Sequence, residues 1–229
     1  MEYLELNVVS TLSGVAAILL VAFIRLHWPF RFQYASSLFR RHPKIMKRWL
    51  DASFRRNGSR SVAMLDKSTL EIMSGNYELA EKCIAEGLTS CKEKPSLFNQ
   101  AMIHYLFYNL SIVYLHRGRY EEALDVAFRV YERDHSLANA LGVIICAQAR
   151  LGDVGSAWQA YELLPKKKRR PELHLFCLAE IEAAKGNFER AVSHMKKLLR
   201  LRFSTTLHLS QAEIEKRLEE WTKASTQAG

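Results

Sequence analysis

Glycine and proline are scarce in this chain, ten and five among 229 residues. An all-β fold needs turn residues at short intervals, so their scarcity argues against a sheet protein and for helices. A composition rich in leucine, alanine, glutamate and lysine points the same way. Cysteine is also sparse. Cys83, Cys91, Cys146 and Cys177 form no C-x-x-C pair, which removes a zinc ribbon and a thioredoxin-type motif. All but Cys91 fall within apolar helical patterns, so the expectation is buried free thiols in a reducing compartment. The eight histidines show neither H-x-x-x-H nor H-E-x-x-H spacing, and no Gly-rich phosphate loop, G-x-S-x-G or dinucleotide fingerprint occurs. Carboxylate pairs such as Glu121-Glu122 and Glu219-Glu220 fall on expected solvent faces. The sequence therefore proposes no catalytic residue, no metal ligand and no cofactor, and reads as a non-enzyme.

What the chain does have is apolar residues, 48% of the total, enough for a packed core. One run stands apart. Val8 to Ile24 reads VVSTLSGVAAILLVAFI, and the apolar stretch from Leu4 to Leu26 is long enough, as a helix, to cross a hydrocarbon core of ~30 Å. Trp28, Phe30, Phe32 and Tyr34 follow, as an interfacial belt would. A cleaved signal peptide would open on basic residues and end on small ones. This run opens with Glu2 and Glu5 and ends with Phe23, Ile24 and Leu26, so an uncleaved anchor is favoured. A buried core helix is disfavoured because the run has no polar face.

The net charge of +9 is unevenly spread. Arg25 to Arg60 hold ten lysines and arginines against one acid, Asp51. A basic excess placed directly after an apolar run suits a membrane surface better than nucleic acid, and no nucleic-acid partner is expected. Arg40, Arg41, Lys44 and Lys47, with Arg48, Arg55 and Arg56, form a basic neck. Such clusters attract anionic lipid by about 1 kcal/mol per charge near the surface. Phe39, Ile45, Met46, Trp49, Leu50 and Phe54 interleave with them in the pattern of an amphipathic helix, a plain linker being the alternative. Lysine and arginine collect on the cytoplasmic side of a span. The expected topology is single-pass, N-terminus outside and C-terminal part in the cytoplasm, in a bacterial inner membrane or a cytosol-facing organelle membrane.

Downstream, one pattern recurs four times: a glycine, any residue, an aromatic or aliphatic residue, and an alanine three further on. The copies are Gly75-Asn76-Tyr77 with Ala80, Gly118-Arg119-Tyr120 with Ala123, Gly152-Asp153-Val154 with Ala157, and Gly186-Asn187-Phe188 with Ala191. The last three glycines are 34 residues apart, and the first interval is 43, which places about nine extra residues around Cys91 to Leu97. Apolar periodic helices flank each glycine. Glycine in a left-handed conformation closes the first helix, and alanine lets the second approach it closely. One such hairpin cannot bury both faces, so neighbours must stack.

These stretches resemble tetratricopeptide repeats, most closely Leu110-Ser111-x-x-Tyr114-x-x-x-Gly118-x-Tyr120-Glu121-Glu122-Ala123. The resemblance covers about residues 61 to 201. Taken with the apolar run and the basic stretch, it gives an all-α chain: a transmembrane anchor over 1–27, a basic juxtamembrane segment over 28–60, an α-solenoid of about four hairpins over 61–209, and a capping helix over 210–229. It also implies an inner face formed by the first helix of each hairpin. Aligned to the family, that face includes Tyr105, Tyr108, Ile112 and His116, then Asn139, Gly142, Cys146 and Arg150, then Leu173, Phe176 and Glu180. A peptide or helix in this groove is the implied partner, against the plain alternative that these residues pack on the inserted segment or the terminal helix. A carboxylate clamp of the chaperone-binding kind is not implied. Asn109 stands near one of its positions, but Leu65 and Thr69 stand where that class carries lysine and asparagine.

Ser210-Gln211-Ala212-Glu213 is a capping-box pattern, in which serine oxygen and glutamate carboxylate satisfy free backbone amides reciprocally. Ile214, Leu218 and Trp221 continue it as one apolar stripe with a charged, solvated opposite face. Lys166 to Arg170 resembles a nuclear import signal but falls between hairpins, where a solvated loop is expected. The combination reads as a membrane-tethered scaffold that binds a protein partner. The alternatives are an assembly or quality-control factor, using Ser13, Gly14, Ala16 and Ala17 for helix packing in the membrane, or a non-catalytic regulatory subunit of a membrane enzyme.

Overall fold

The computed structural model describes residues 8–27, 45, 48, 52, 60–165, 171–201 and 206–228. Its described elements are helical throughout. The first is α1, Val8–His27. The side chains described on it, from 11 to 21, are all exposed, Leu12, Ile18 and Leu19 among them. Among the described residues no helix is long and apolar enough to cross a membrane. The expected span over 1–27 is thus carried by the sequence and not by the structure. Of the basic neck and its amphipathic pattern, only Ile45 and Arg48 are described; Arg40, Arg41, Lys44, Lys47, Arg55 and Arg56 lie outside the described residues, as does Lys166 to Arg170.

Eight helices then run as four hairpins: α2 (Arg60–Met73) with α3 (Tyr77–Glu93), α4 (Leu97–His116) with α5 (Tyr120–Arg133), α6 (Ala138–Arg150) with α7 (Val154–Glu162), and α8 (Pro171–Ala184) with α9 (Phe188–Arg200). Each glycine of the recurring pattern ends its hairpin's first helix. Gly75, Gly118, Gly152 and Gly186 have φ of 78°, 77°, 83° and 78°. The amide of each donates to the carbonyl three residues back, and the next residue's amide reaches five back, as in Gly152 to Ala149 and Asp153 to Gln148. This is the Schellman closure, which satisfies carbonyls the helix end would leave open. Ala80, Ala123, Ala157 and Ala191 are wholly buried where the second helix meets the first.

The first helices pack on one another in chain order, α2 on α4, α4 on α6, α6 on α8, forming one layer. Each second helix backs its own hairpin and leans on the next. This is the repeat-like stacking of an α-solenoid. A tight approach lies at Gly142, where a Cβ would fall 2.6 Å from Leu173 Cδ1, so α6 and α8 meet where an added side chain would press on Leu173. The extra residues of the first interval form no added loop. They lengthen α3 to 17 residues and α4 to 20, leaving three between them, with Ser96 capping α4 by accepting from the Asn99 amide at 3.1 Å. All four cysteines are free and buried, Cys91 included.

A 3-10 turn, Thr206–His208, and the last helix, α10 (Gln211–Ala228), complete the described chain. The helix packs on α9, the next place in the succession. The turn packs against α2, α6 and α8, so the segment before α10 lies on the first-helix layer.

Candidate functional site

The inner face is the layer of α2, α4, α6 and α8, and most of the residues expected there are present but covered. Tyr108, Ile112, Phe176 and Glu180 are buried, as are Gly142, Cys146 and Leu173. The His116 side chain is 1% exposed and that of Arg150 23%. Asn139 is half-buried, and Tyr105 is exposed. The cover is the chain's own C-terminal segment, Leu207 to Trp221.

Its entry is fixed by two contacts. The His116 Nε2–H donates to the Leu207 carbonyl at 3.2 Å. The His208 Nε2–H donates to Asn109 Oδ1 at 3.0 Å, and the His208 ring meets Tyr108 edge-on at 5.7 Å. Asn109 Nδ2 in turn donates to Ser68 Oγ at 2.8 Å and Thr69 Oγ1 at 3.0 Å on α2. Its amide is thus spent inside the fold, tying α2, α4 and the C-terminal segment together. Leu207 and His208 adopt positive φ, 50° and 47°, which non-glycine residues take only when their surroundings hold them.

Deeper along the segment the grip is ionic. Arg217 is 4% exposed and is bound by both Glu180 on α8 and Glu213 one turn earlier on α10. Arg150 on α6 reaches the same Glu180, with Nε donating to Oε2 at 2.6 Å and Nη2 to Oε1 at 3.2 Å. Two arginines thus face two carboxylates, and the charge is balanced. Burial pushes the Glu180 carboxyl up, but Arg217 and Arg150 outweigh it and hold it below the usual range. Burial likewise opposes the charge on Arg217, and Glu180 and Glu213 raise it above an ordinary guanidinium. Rings complete the contact: the Arg217 guanidinium lies 5.3 Å from the Phe176 ring centroid, and that of Arg150 lies 5.7 Å from Trp221.

His116 stands at the other end of this network. It stacks on Tyr77 of α3 at 5.6 Å, and its Nδ1 is 3.9 Å from Glu213 Oε1 without a hydrogen-bond partner among the described residues. Burial, then the Arg217 charge, lower its pKa to about 4, so the imidazole is neutral with its proton on Nε2. Tyr77 Oη donates to Glu213 Oε2 at 3.4 Å, and burial followed by the Glu213 charge pushes its pKa up to about 12.

The capping box forms by half. Ser210 Oγ accepts from the Glu213 amide at 3.0 Å, as expected. The Glu213 carboxylate does not turn back to the Ser210 amide; it serves Arg217 and Tyr77 instead, because a buried guanidinium is a stronger partner than a backbone amide. Arg217 lies on the apolar stripe of α10 rather than on its charged face, and is buried. Sequence reasoning passed over Arg217, Leu207 and His208, and gave Glu213 a capping role only. One signal was available: Arg217 lies three residues after Ile214 and four before Trp221, on the apolar stripe itself.

Among the described residues no group of three or more His, Cys, Asp or Glu side chains is placed to hold a metal ion. The face presents apolar rings and a paired arginine and carboxylate, with the C-terminal helix laid on them. Comparison with protein-family models, with curated proteins and with solved structures finds no match.

Proposed function

We propose that this chain is a membrane-tethered, tetratricopeptide-like adaptor, which binds a protein partner on its stack of hairpins and holds that partner at a bilayer. The binding half rests on one observation: the inner face already seats a helix, with Glu180 and Phe176 meeting Arg217 and Arg150 meeting Trp221. The resemblance to tetratricopeptide repeats is supported by the four left-handed glycines with their buried alanines. The tether rests on the apolar run Val8 to Ile24 and on the basic neck after it. The exposed apolar side chains of α1 support it too, since such a surface is stabilised by lipid or by a second apolar partner.

The test is alkaline extraction of membranes from cells making the full-length chain, beside a chain whose residues 8–24 carry a polar sequence. The full-length chain stays in the membrane and the polar variant is released. Release of both removes the tether. Mild-detergent solubilisation of each form, followed by identification of co-purifying proteins, then separates the functions. A partner kept by both forms is bound by the hairpin stack. A partner lost with the apolar run is bound by α1, which is the assembly-factor reading.

A further inference from the structure

The C-terminal segment covers the inner face in a way suited to a replaceable occupant. Its deepest contact is ionic, and a buried ion pair comes close to breaking even against apolar residues of the same shape, so it fixes register more than it adds stability. Its entry is strained. Leu207 and His208 hold left-handed conformations with φ of 50° and 47° where His116 and Asn109 engage them, and release would return that strain. The fit is also incomplete, because the buried Nδ1 of His116 faces the segment with no donor supplied to it.

Resting on the adaptor reading above, we infer that Leu207 to Trp221 is an intramolecular stand-in for the partner. The partner inserts an amphipathic helix that carries an arginine opposite Glu180 and a bulky aromatic residue four positions on, opposite Arg150, and displaces the resident segment. The chemistry of the occupant is copied from the segment seated there: Arg217 on Glu180 and Phe176, Trp221 over Arg150. The adaptor is closed when empty, and partner binding carries the added requirement of opening it.

The experiment uses the full-length chain in mild detergent. Amide hydrogen exchange is followed in α10 against α6 and α8. Local opening shows as exchange in α10 at least ~30-fold faster than in the two inner helices. Equal rates in all three make the segment a permanent part of the core and overturn the inference. A labelled synthetic peptide of residues 206–228 is then the probe. Arg217→Ala in the chain weakens the competitor in cis and tightens capture of the peptide by ~10-fold or more, while a peptide carrying the same change binds neither form. Equal capture by both chains counts against displacement. Peptide binding that tracks a concentration-dependent dimer assigns the face to a second copy of the chain, and that too overturns the partner helix. The exchange measurement needs no substitution, so a poorly folding variant does not rescue the idea. Neither measurement involves α1. Loss of membrane retention with a mobile α10 removes the tether alone, and a fixed α10 in a membrane-retained chain removes the displacement alone.

Discussion

Arg217 of the last helix and Glu180 of α8, 37 residues apart in the chain, form a buried ion pair that Arg150 and Glu213 extend to four charges. Removing one member strands its partners in a desolvated site. Glu180→Ala leaves Arg217 and Arg150 without their shared acceptor and costs about 3–5 kcal/mol by the behaviour of broken buried pairs. Replacing both deep members, Glu180→Leu with Arg217→Met, removes the desolvation cost together with the attraction. Urea denaturation of the single and double variants checks this: the double variant is the more stable of the two, and a double variant as weak as Glu180→Ala would deny that the charges act as a pair.

Acidification loosens the same region ahead of the carboxylates. Within the fold His116 is met by Glu213 and Arg217 from α10, Glu180 from α8, the Tyr77 ring from α3 and the Leu207 carbonyl. Burial and Arg217 bring its pKa to about 4 from an ordinary 6.5. The unfolded chain therefore binds a proton that the folded chain refuses between those values. Stability is complete above 6.5 and falls as pH drops towards 4. Between pH 7 and pH 5 the loss is ~2 kcal/mol, from 1.36 kcal/mol per unit of pH in that window. His116→Asn should flatten that part of the pH profile of unfolding. A slope left unchanged would assign it to other groups.

The hairpin turns make a separate prediction, about backbone alone. At Gly152 φ is 83° and an added Cβ would meet nothing within 4 Å, so any penalty for Gly152→Ala is conformational. A left-handed alanine costs about 1–2 kcal/mol. Gly152→Asn should cost less, since asparagine visits that region more readily. Thermal unfolding of both variants settles the order. Gly142→Ala works by the opposite mechanism: it would press on the buried Leu173, and overpacking of that kind costs about 1–3 kcal/mol.

How much of this was legible depended on whether the cause is local. The glycine–aromatic–alanine junction is readable because a left-handed closure and a close helix approach each demand a residue type at one position. Gly75, Gly118, Gly152 and Gly186 all fall as the pattern places them, and Ser210 caps α10 as the pattern requires. The extra length near Cys91 was visible as a broken period, but not that it becomes further helical turns in α3 and α4. The cover on the inner face was legible only as the plain alternative of packing on the terminal helix, and the contacts that make it were not. Arg217 falls on the apolar stripe of α10, but nothing local says that its acceptor is Glu180, 37 residues away. The left-handed Leu207 and His208 carry no compositional mark, since no glycine or asparagine stands there.

Asn109 supplies the last prediction, and it separates support of the stack from support of its cover. Its amide nitrogen donates to Ser68 and Thr69 on α2, and its oxygen accepts from His208 at the entry of the C-terminal segment. Asn109→Ala removes both at once and leaves the buried His208 donor without that acceptor, at about 1–3 kcal/mol. Asn109→Asp keeps an acceptor for His208 and loses the two donors to α2, while burying a charge beside the Ser68 and Thr69 hydroxyls. The hydroxyls of Ser68 and Thr69 already donate to the Leu65 carbonyl, at 2.8 and 3.0 Å, and would have to turn to serve it. Hydrogen exchange resolves the two effects by place. Faster exchange in α10 is expected for Asn109→Ala, and in α2 for both variants. If Asn109→Ala accelerates α2 and leaves α10 as protected as before, His208 does not hold the segment down, and the ionic contacts at Arg217 carry that task alone.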